Sequence, residues 1–299
     1  MAHATPHGVI AAIATAIDAQ GVPDCTRSIA LARHLLANGC DGLNVLGTTG
    51  EATSFSVTQR KVVMSAYRDA GLPLSRCVVG TGAAAIADAV ALTAHAAALG
   101  FGGALLLPPF YYKGVDDDGL FAYVEHIMAA TAARPIPIYL YHFPALSGVP
   151  WPLGLVGRLI ATFGPRLAGL KDSSGDMDYA RAAAGLAQGF SVFPSTEAAL
   201  MEARSGRFAG CISATANVNS DLCARAYRHG DSQALAQAVA IRELFDGKPV
   251  VAGVKAVLAH IHGEPEWARV VPPLTRLNTA DLTALIDGYE EVRAASRAA

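Results

Sequence analysis

Five lysines occur in the chain, Lys61, Lys113, Lys171, Lys248 and Lys255, and one of them stands apart. Four read as solvated charges on helices or loops, whereas Lys171 closes the apolar run Leu167-Ala168-Gly169-Leu170. A lysine at the end of a buried strand offers a poorly hydrated amine that can attack a carbonyl carbon. The alternative is a loop ion pair with Asp172 or Asp176. In Tyr139-Leu140-Tyr141-His142, a period of two puts Tyr139 and Tyr141 on one face and turns His142 away. A phenol there can pass a proton, or it can cap a core through its hydroxyl. The turn Gly47-Thr48-Thr49-Gly50-Glu51 can converge backbone N–H groups on an anion such as a carboxylate, although Gly-Thr clusters are also common turns. Nine histidines are spread along the chain, with His260 and His262 in a helical stretch, and no metal centre is expected.

These residues need elements to position them. Apolar runs of strand length over residues 8–15, 42–46, 76–81, 104–107, 136–142, 167–171, 191–194 and 210–213 alternate with helical patterns over 24–38, 58–70, 84–99, 117–131, 153–162, 177–188 and 196–205. That alternation predicts a parallel sheet with helices outside. No strand leads into Gly-x-Gly-x-x-Gly, and the length suits an α/β (β/α)8 TIM barrel better than a doubly wound sheet. From about residue 217 the pattern is helical only, over 221–229, 232–245, 251–261 and 280–295. The expected organisation is a catalytic barrel over 1–216 and a helical C-terminal extension over 217–299. In a barrel, chemistry belongs at the C-terminal ends of the strands, where Thr48, Tyr141 and Lys171 all fall.

Composition narrows the partners. With 299 residues, 52% hydrophobic and 16% charged, the chain can build a large core, and a net charge of −2 without a basic run argues against nucleic acid or an anionic membrane. The longest stretch without an acidic or basic residue, 89–112, is broken by Gly100, Gly102, Gly103 and Pro108-Pro109, so no membrane span is expected. The N-terminal apolar patch has no Lys or Arg before Arg27, which points to the cytoplasm. Cys25, Cys40, Cys77, Cys211 and Cys223 are odd in number and widely spaced, as suits buried thiols in a reducing compartment.

Taken together, Gly47-Thr48-Thr49-Gly50-Glu51, Pro109-Phe110-Tyr111-Tyr112, Tyr141 with Pro144-Ala145-Leu146-Ser147-Gly148, Leu170-Lys171-Asp172-Ser173-Ser174-Gly175 and residues 210–217 resemble the dihydrodipicolinate synthase/N-acetylneuraminate lyase family. The resemblance runs from about Val9 into the C-terminal helices. It implies a (β/α)8 barrel with a helical extension, a homotetramer, and a Schiff base between Lys171 and the 2-oxo carbon of pyruvate or a pyruvate-derived substrate, with no metal or organic cofactor. It makes Tyr141 the proton shuttle, and Thr48 with Thr49 the carboxylate holder and the link in a hydroxyl relay. Tyr111, or else Tyr112, would be the tyrosine a neighbouring subunit inserts. Ile212 would pack near the pyruvyl group.

Departures from the pattern bear on the substrate. Where the synthases carry an arginine for the carboxylate of aspartate semialdehyde, this chain has Leu146; where the sialic acid lyases carry an Asp-Glu pair, it reads Ser195-Thr196-Glu197. His142 replaces the family's usual Asn. The expected activity is therefore a pyruvate-dependent aldolase for a 2-keto-3-deoxy sugar acid or similar 4-hydroxy-2-oxo acid, releasing pyruvate and a small aldehyde, with Ser195, Thr196 and Glu197 holding the tail. The rivals are 4-hydroxy-tetrahydrodipicolinate synthase, a keto-deoxy sugar acid dehydratase and a non-catalytic ligand-binding barrel.

Overall fold

The computed structural model describes residues 6–298; residues 1–5 of the expected barrel segment and residue 299 of the expected extension lie outside it. Eight parallel strands form the framework: β1 (Gly8–Ala12), β2 (Gly42–Val45), β3 (Cys77–Gly80), β4 (Gly103–Leu106), β5 (Ile138–His142), β6 (Leu167–Asp172), β7 (Ser191–Pro194) and β8 (Gly210–Ser213). They are hydrogen-bonded in the order β7-β6-β5-β4-β3-β2-β1-β8. At the remaining seam, Ala209 N–H donates to the Val192 carbonyl at 3.0 Å. The sheet thus curls into a nearly closed TIM barrel.

Alternation along each strand divides the apolar side chains between two cores. In β1, Ile10 and Ala12 face inward while Val9 and Ala11 face the helices; in β5, Tyr139 and Tyr141 face inward while Ile138 and Leu140 face outward. The inner core is small, and Tyr139 fills much of it. A side chain at Gly103 on β4 or Gly169 on β6 would come within 2.5 Å or 2.8 Å of its ring, so the two flanking strands must carry glycine there.

Helices cover the outer face. Asp24 accepts from Arg27 N–H at 3.0 Å to start the helix Cys25–Ala37, and Ser56 with Gln59 forms a capping box on Val57–Asp69. After β8 come Ala216–His229, Ser232–Glu243, Val250–His262 and Thr279–Ala298. Some boundaries differ from the sequence expectation. β5 begins at Ile138, not 136, because Pro135 and Pro137 have no N–H to give the ladder. β1 ends at Ala12, not 15, since Ala14 N–H turns to the Asn217 side chain and Ala16 N–H to Ser28 Oγ. The expected helix 196–205 splits into a 3-10 turn, Glu197–Ala199, and the helix Leu200–Arg204. Among the described residues no helix is long and apolar enough to cross a membrane. All five thiols are free; four are buried, and burial pushes Cys40 and Cys77 up to about 12.

Candidate active site

Parallel pairing of β5 with β6 sets Tyr141 opposite Lys171. The register shifts by one residue near Ala168, after which Gly169 faces Tyr139, Leu170 faces the helices and Lys171 faces inward. Lys171 is 3% exposed, and its Nζ stands 4.4 Å from the centroid of the Tyr141 ring. The Tyr141 hydroxyl lies 3.1 Å from Thr48 Oγ1. Among the described residues no carboxylate pairs with Lys171. Asp172, one residue on, accepts from Ser174 N–H, and burial raises its pKa; Asp176 caps the helix Met177–Ala184. The loop ion pair considered from sequence does not form.

The turn that carries Thr48 is held at both ends. Leu46 and Glu51 adopt left-handed backbone conformations, with φ of 53° and 54°, which side chains other than glycine rarely take. Glu51 pays for its conformation with contacts: its carboxylate is buried, pairs with Lys255 Nζ and accepts from Val271 N–H at 2.7 Å. Lys255 also donates to the Arg269 carbonyl at 2.9 Å. This corrects the expectation for Lys255, which is fully buried in Val250–His262 and is no surface charge. Burial lowers its pKa against the pull of Glu51. Breaking the pair strands a buried charge, so Lys255→Met should cost about 3–5 kcal/mol in denaturant unfolding, and adding Glu51→Gln should recover part of that. A single-mutant cost below about 1 kcal/mol would show that the pair does not hold the turn.

Behind Tyr141 stands a brace. His142 faces the helices, stacks on Tyr179 with centroids 4.1 Å apart, and accepts from Trp151 N–H through Nδ1 at 3.0 Å. The Trp151 indole N–H donates to the Tyr141 carbonyl at 3.2 Å, and Tyr179 O–H donates to the Trp151 carbonyl at 2.6 Å. An imidazole that accepts through Nδ1 is neutral with its proton on Nε2. Burial lowers its pKa to about 4 against an opposing pull from Asp176. Above about pH 6.5 the folded and unfolded imidazoles are both neutral and the brace contributes fully. Between about 6.5 and 4 the unfolded chain binds a proton that the folded protein excludes, so stability falls with pH. From pH 7 to 5 the protein should lose about 1–2 kcal/mol more unfolding free energy than His142→Asn. Equal losses would show that His142 does not carry this dependence.

A barrel with a buried lysine and a phenol at one mouth has known relatives. Residues 5–288 match the model of the dihydrodipicolinate synthetase family. The sequence is 32% identical over 301 residues to an uncharacterised DapA-like lyase of Chloroflexus aurantiacus, covering 97% of this chain and 98% of that protein. It is 34% identical over 231 residues to a 4-hydroxy-tetrahydrodipicolinate synthase of Hyphomonas neptunium, covering 75% and 76%. The fold superposes with a TM-score of 0.90 on the crystal structure of dihydrodipicolinate synthase from Agrobacterium tumefaciens, at 30% identity and covering 96% and 99% of the two chains.

The chain belongs to the dihydrodipicolinate synthetase family. It is a lyase of that family.

The remaining expected residues of this family member fall into two groups. Near the strand ends, Ile212 is buried in the inner core with Tyr141, while Ser195 and Thr196 are half-buried after β7. Thr49 is buried, but the threonine bonded to Tyr141 is Thr48. Glu197 departs from its expected role. Ser213 follows the inward Ile212 and so faces outward, and Glu197 is fully buried against Ser213 and Thr215, with Arg242 at 3.7 Å. Its carboxylate fastens β8 to the outer helices and is turned away from the barrel mouth. Tyr111 and Tyr112 are 75% and 72% exposed and pack edge to face on each other at 5.3 Å. Within one chain neither bonds to the Thr48–Tyr141 pair. Leu146 is 64% exposed in the short helix Pro144–Ser147. Sequence reasoning passed over Arg60, which lines the cleft with Thr48 and Tyr141 and donates to the Gly80 and Gly82 carbonyls. Burial lowers its pKa to about 10. Its position on an amphipathic helix gave no hint of burial.

Proposed function

We propose that this lyase is a Schiff-base-forming, pyruvate-dependent class I aldolase for a 2-keto-3-deoxy sugar acid or similar 4-hydroxy-2-oxo acid. The observation that carries the reading is the line Lys171, Tyr141, Thr48: an amine buried without a carboxylate partner, beside a phenol that is hydrogen-bonded to a second hydroxyl.

Lys171 Nζ attacks the 2-oxo carbon, and loss of water leaves an iminium. Tyr141 takes the proton of the C4 hydroxyl, the C3–C4 bond breaks, its electron pair flows into the iminium to give an enamine, and the aldehyde departs. A proton returned to C3 regenerates the iminium. Water then attacks C2, freeing pyruvate and Lys171. The Thr48 hydroxyl lets the proton leave or reach Tyr141 by a hydroxyl relay, and the turn 47–50 offers the substrate carboxylate its backbone N–H groups. Ile212 packs beside the pyruvyl group, and Ser195 and Thr196 meet the hydroxylated tail. A tyrosine from a neighbouring copy in a homotetramer, Tyr111 or Tyr112, completes the relay. The electron sink is the lysine iminium, so the route calls for no metal or organic cofactor.

Leu146 argues for a neutral aldehyde: it offers no guanidinium fork to a second carboxylate. The second reading, 4-hydroxy-tetrahydrodipicolinate synthase, draws on the Hyphomonas relative and on Lys113, whose Nζ donates to the Ser147 carbonyl at 2.6 Å beside Leu146. The two readings separate on kcat/KM for two aldehydes at saturating pyruvate. Glyceraldehyde should exceed aspartate semialdehyde by roughly 10- to 100-fold, the scale of a lost hydrogen bond to a charged group. The reverse order would transfer the assignment to the synthase, with Lys113 as the replacing cation.

A further inference from the structure

One buried side chain inside the barrel has no partner for either end. Asn44 on β2 is fully buried, and neither its Oδ1 nor its Nδ2 makes a hydrogen bond. Its neighbours in the strand, Leu43 and Val45, face the helices, and its cross-strand partners, Ala12 and Val78, face the inner core, so the amide points into the barrel. Burying an amide unpaired among apolar groups costs several times the worth of a methyl, and leucine or valine would fill the place without that cost. The amide also abuts the turn that reaches the cleft. A side chain added at Gly47 would lie 2.6 Å from Asn44 Oδ1, so Gly47 rests on the amide and Thr48 follows it directly.

We infer that Asn44 is a binding residue for the carboxylate of the 2-oxo acid, with Nδ2 donating to a carboxylate oxygen once the substrate is seated beneath Thr48. This rests on the Schiff-base reading above and deepens it. Gly47, Thr48 and Tyr141 line one cleft, with Lys171 Nζ against the Tyr141 ring, and an occupant that reaches past Gly47 to Asn44 must accept a hydrogen bond there. A carboxylate on the carbon next to the attacked carbonyl does so, because the carbonyl carbon must lie at Lys171 Nζ while the carboxylate lies one bond away. The ligand then supplies the partner that the protein leaves out, and the energetic cost of the bare amide is recovered on binding.

The test compares two ketones that differ in the carboxylate. Wild type, Asn44→Leu and Asn44→Asp are incubated with graded pyruvate or hydroxyacetone, reduced with borohydride, and the adduct at Lys171 is quantified by mass spectrometry, with thermal unfolding followed in parallel. Asn44→Leu should need about 10- to 100-fold more pyruvate for half-maximal trapping, with hydroxyacetone trapping unchanged and thermal stability equal or higher. Asn44→Asp should weaken pyruvate trapping further near neutral pH by like-charge repulsion and regain part of it when acidified. Unchanged pyruvate trapping in both variants would reduce Asn44 to a tolerated core amide. Equal losses for both ketones would mark a packing defect and overturn the carboxylate contact. Failure of wild type to trap pyruvate at all is a separate result, and it removes the Schiff-base reading itself.

Discussion

Lys171→Ala should retain the fold and lose turnover to the detection limit. A lysine at the barrel rim makes no ion pair among the described residues, so its removal leaves no stranded partner and should shift unfolding by no more than about 1–2 kcal/mol. The proposed reaction, in contrast, has no other electron sink. Steady-state pyruvate release from a 2-keto-3-deoxy acid, read beside the far-ultraviolet circular dichroism of the same sample, checks both halves. Activity within tenfold of wild type would remove Lys171 from the chemistry.

Tyr141→Phe should lower aldol cleavage by about 10² to 10⁴ while still forming the covalent adduct with pyruvate, because in the proposed reaction the phenol acts on the C4 proton and the amine on C2. The ring that packs 4.4 Å from Lys171 Nζ survives in phenylalanine, and the Trp151 bond goes to the Tyr141 backbone, so the substitution deletes only the hydroxyl and its 3.1 Å contact with Thr48. The split between preserved trapping and lost cleavage is what distinguishes a proton shuttle from a packing residue. Rates within a few fold of wild type would assign Tyr141 to packing.

Much of the barrel was legible because strand and helix periods are local. Tyr139 and Tyr141 share a face by simple alternation, and Lys171 stood out because a charge ended an apolar run. What the sequence hid depends on partners far along the chain. Lys255 meets Glu51 across 204 residues, and a lysine on a helix carries no sign of such a partner. Glu197 was expected to hold a hydroxylated tail because it stands where the sialic acid lyases carry an Asp-Glu pair, yet a single residue of strand parity at Ser213 turns it to the outer layer. The resemblance assigned Thr48 and Thr49 jointly; that Thr48 is the one bonded to Tyr141 depends on a turn whose ends, Leu46 and Glu51, adopt backbone conformations that no propensity scale would assign to those residue types. Asn44 sat unnoticed in an apolar run, where an amide reads as a minor break in a strand pattern.

The central claim is that Lys171 forms a Schiff base with a 2-oxo acid, and one measurement meets it directly. Wild-type protein is incubated with pyruvate, reduced with borohydride, digested and mapped by mass spectrometry. The account predicts one reduced pyruvyl adduct per chain, on the peptide bearing Lys171, and none without pyruvate. An adduct on Lys61, Lys113, Lys248 or Lys255 in its place, or no adduct at saturating pyruvate, would contradict it.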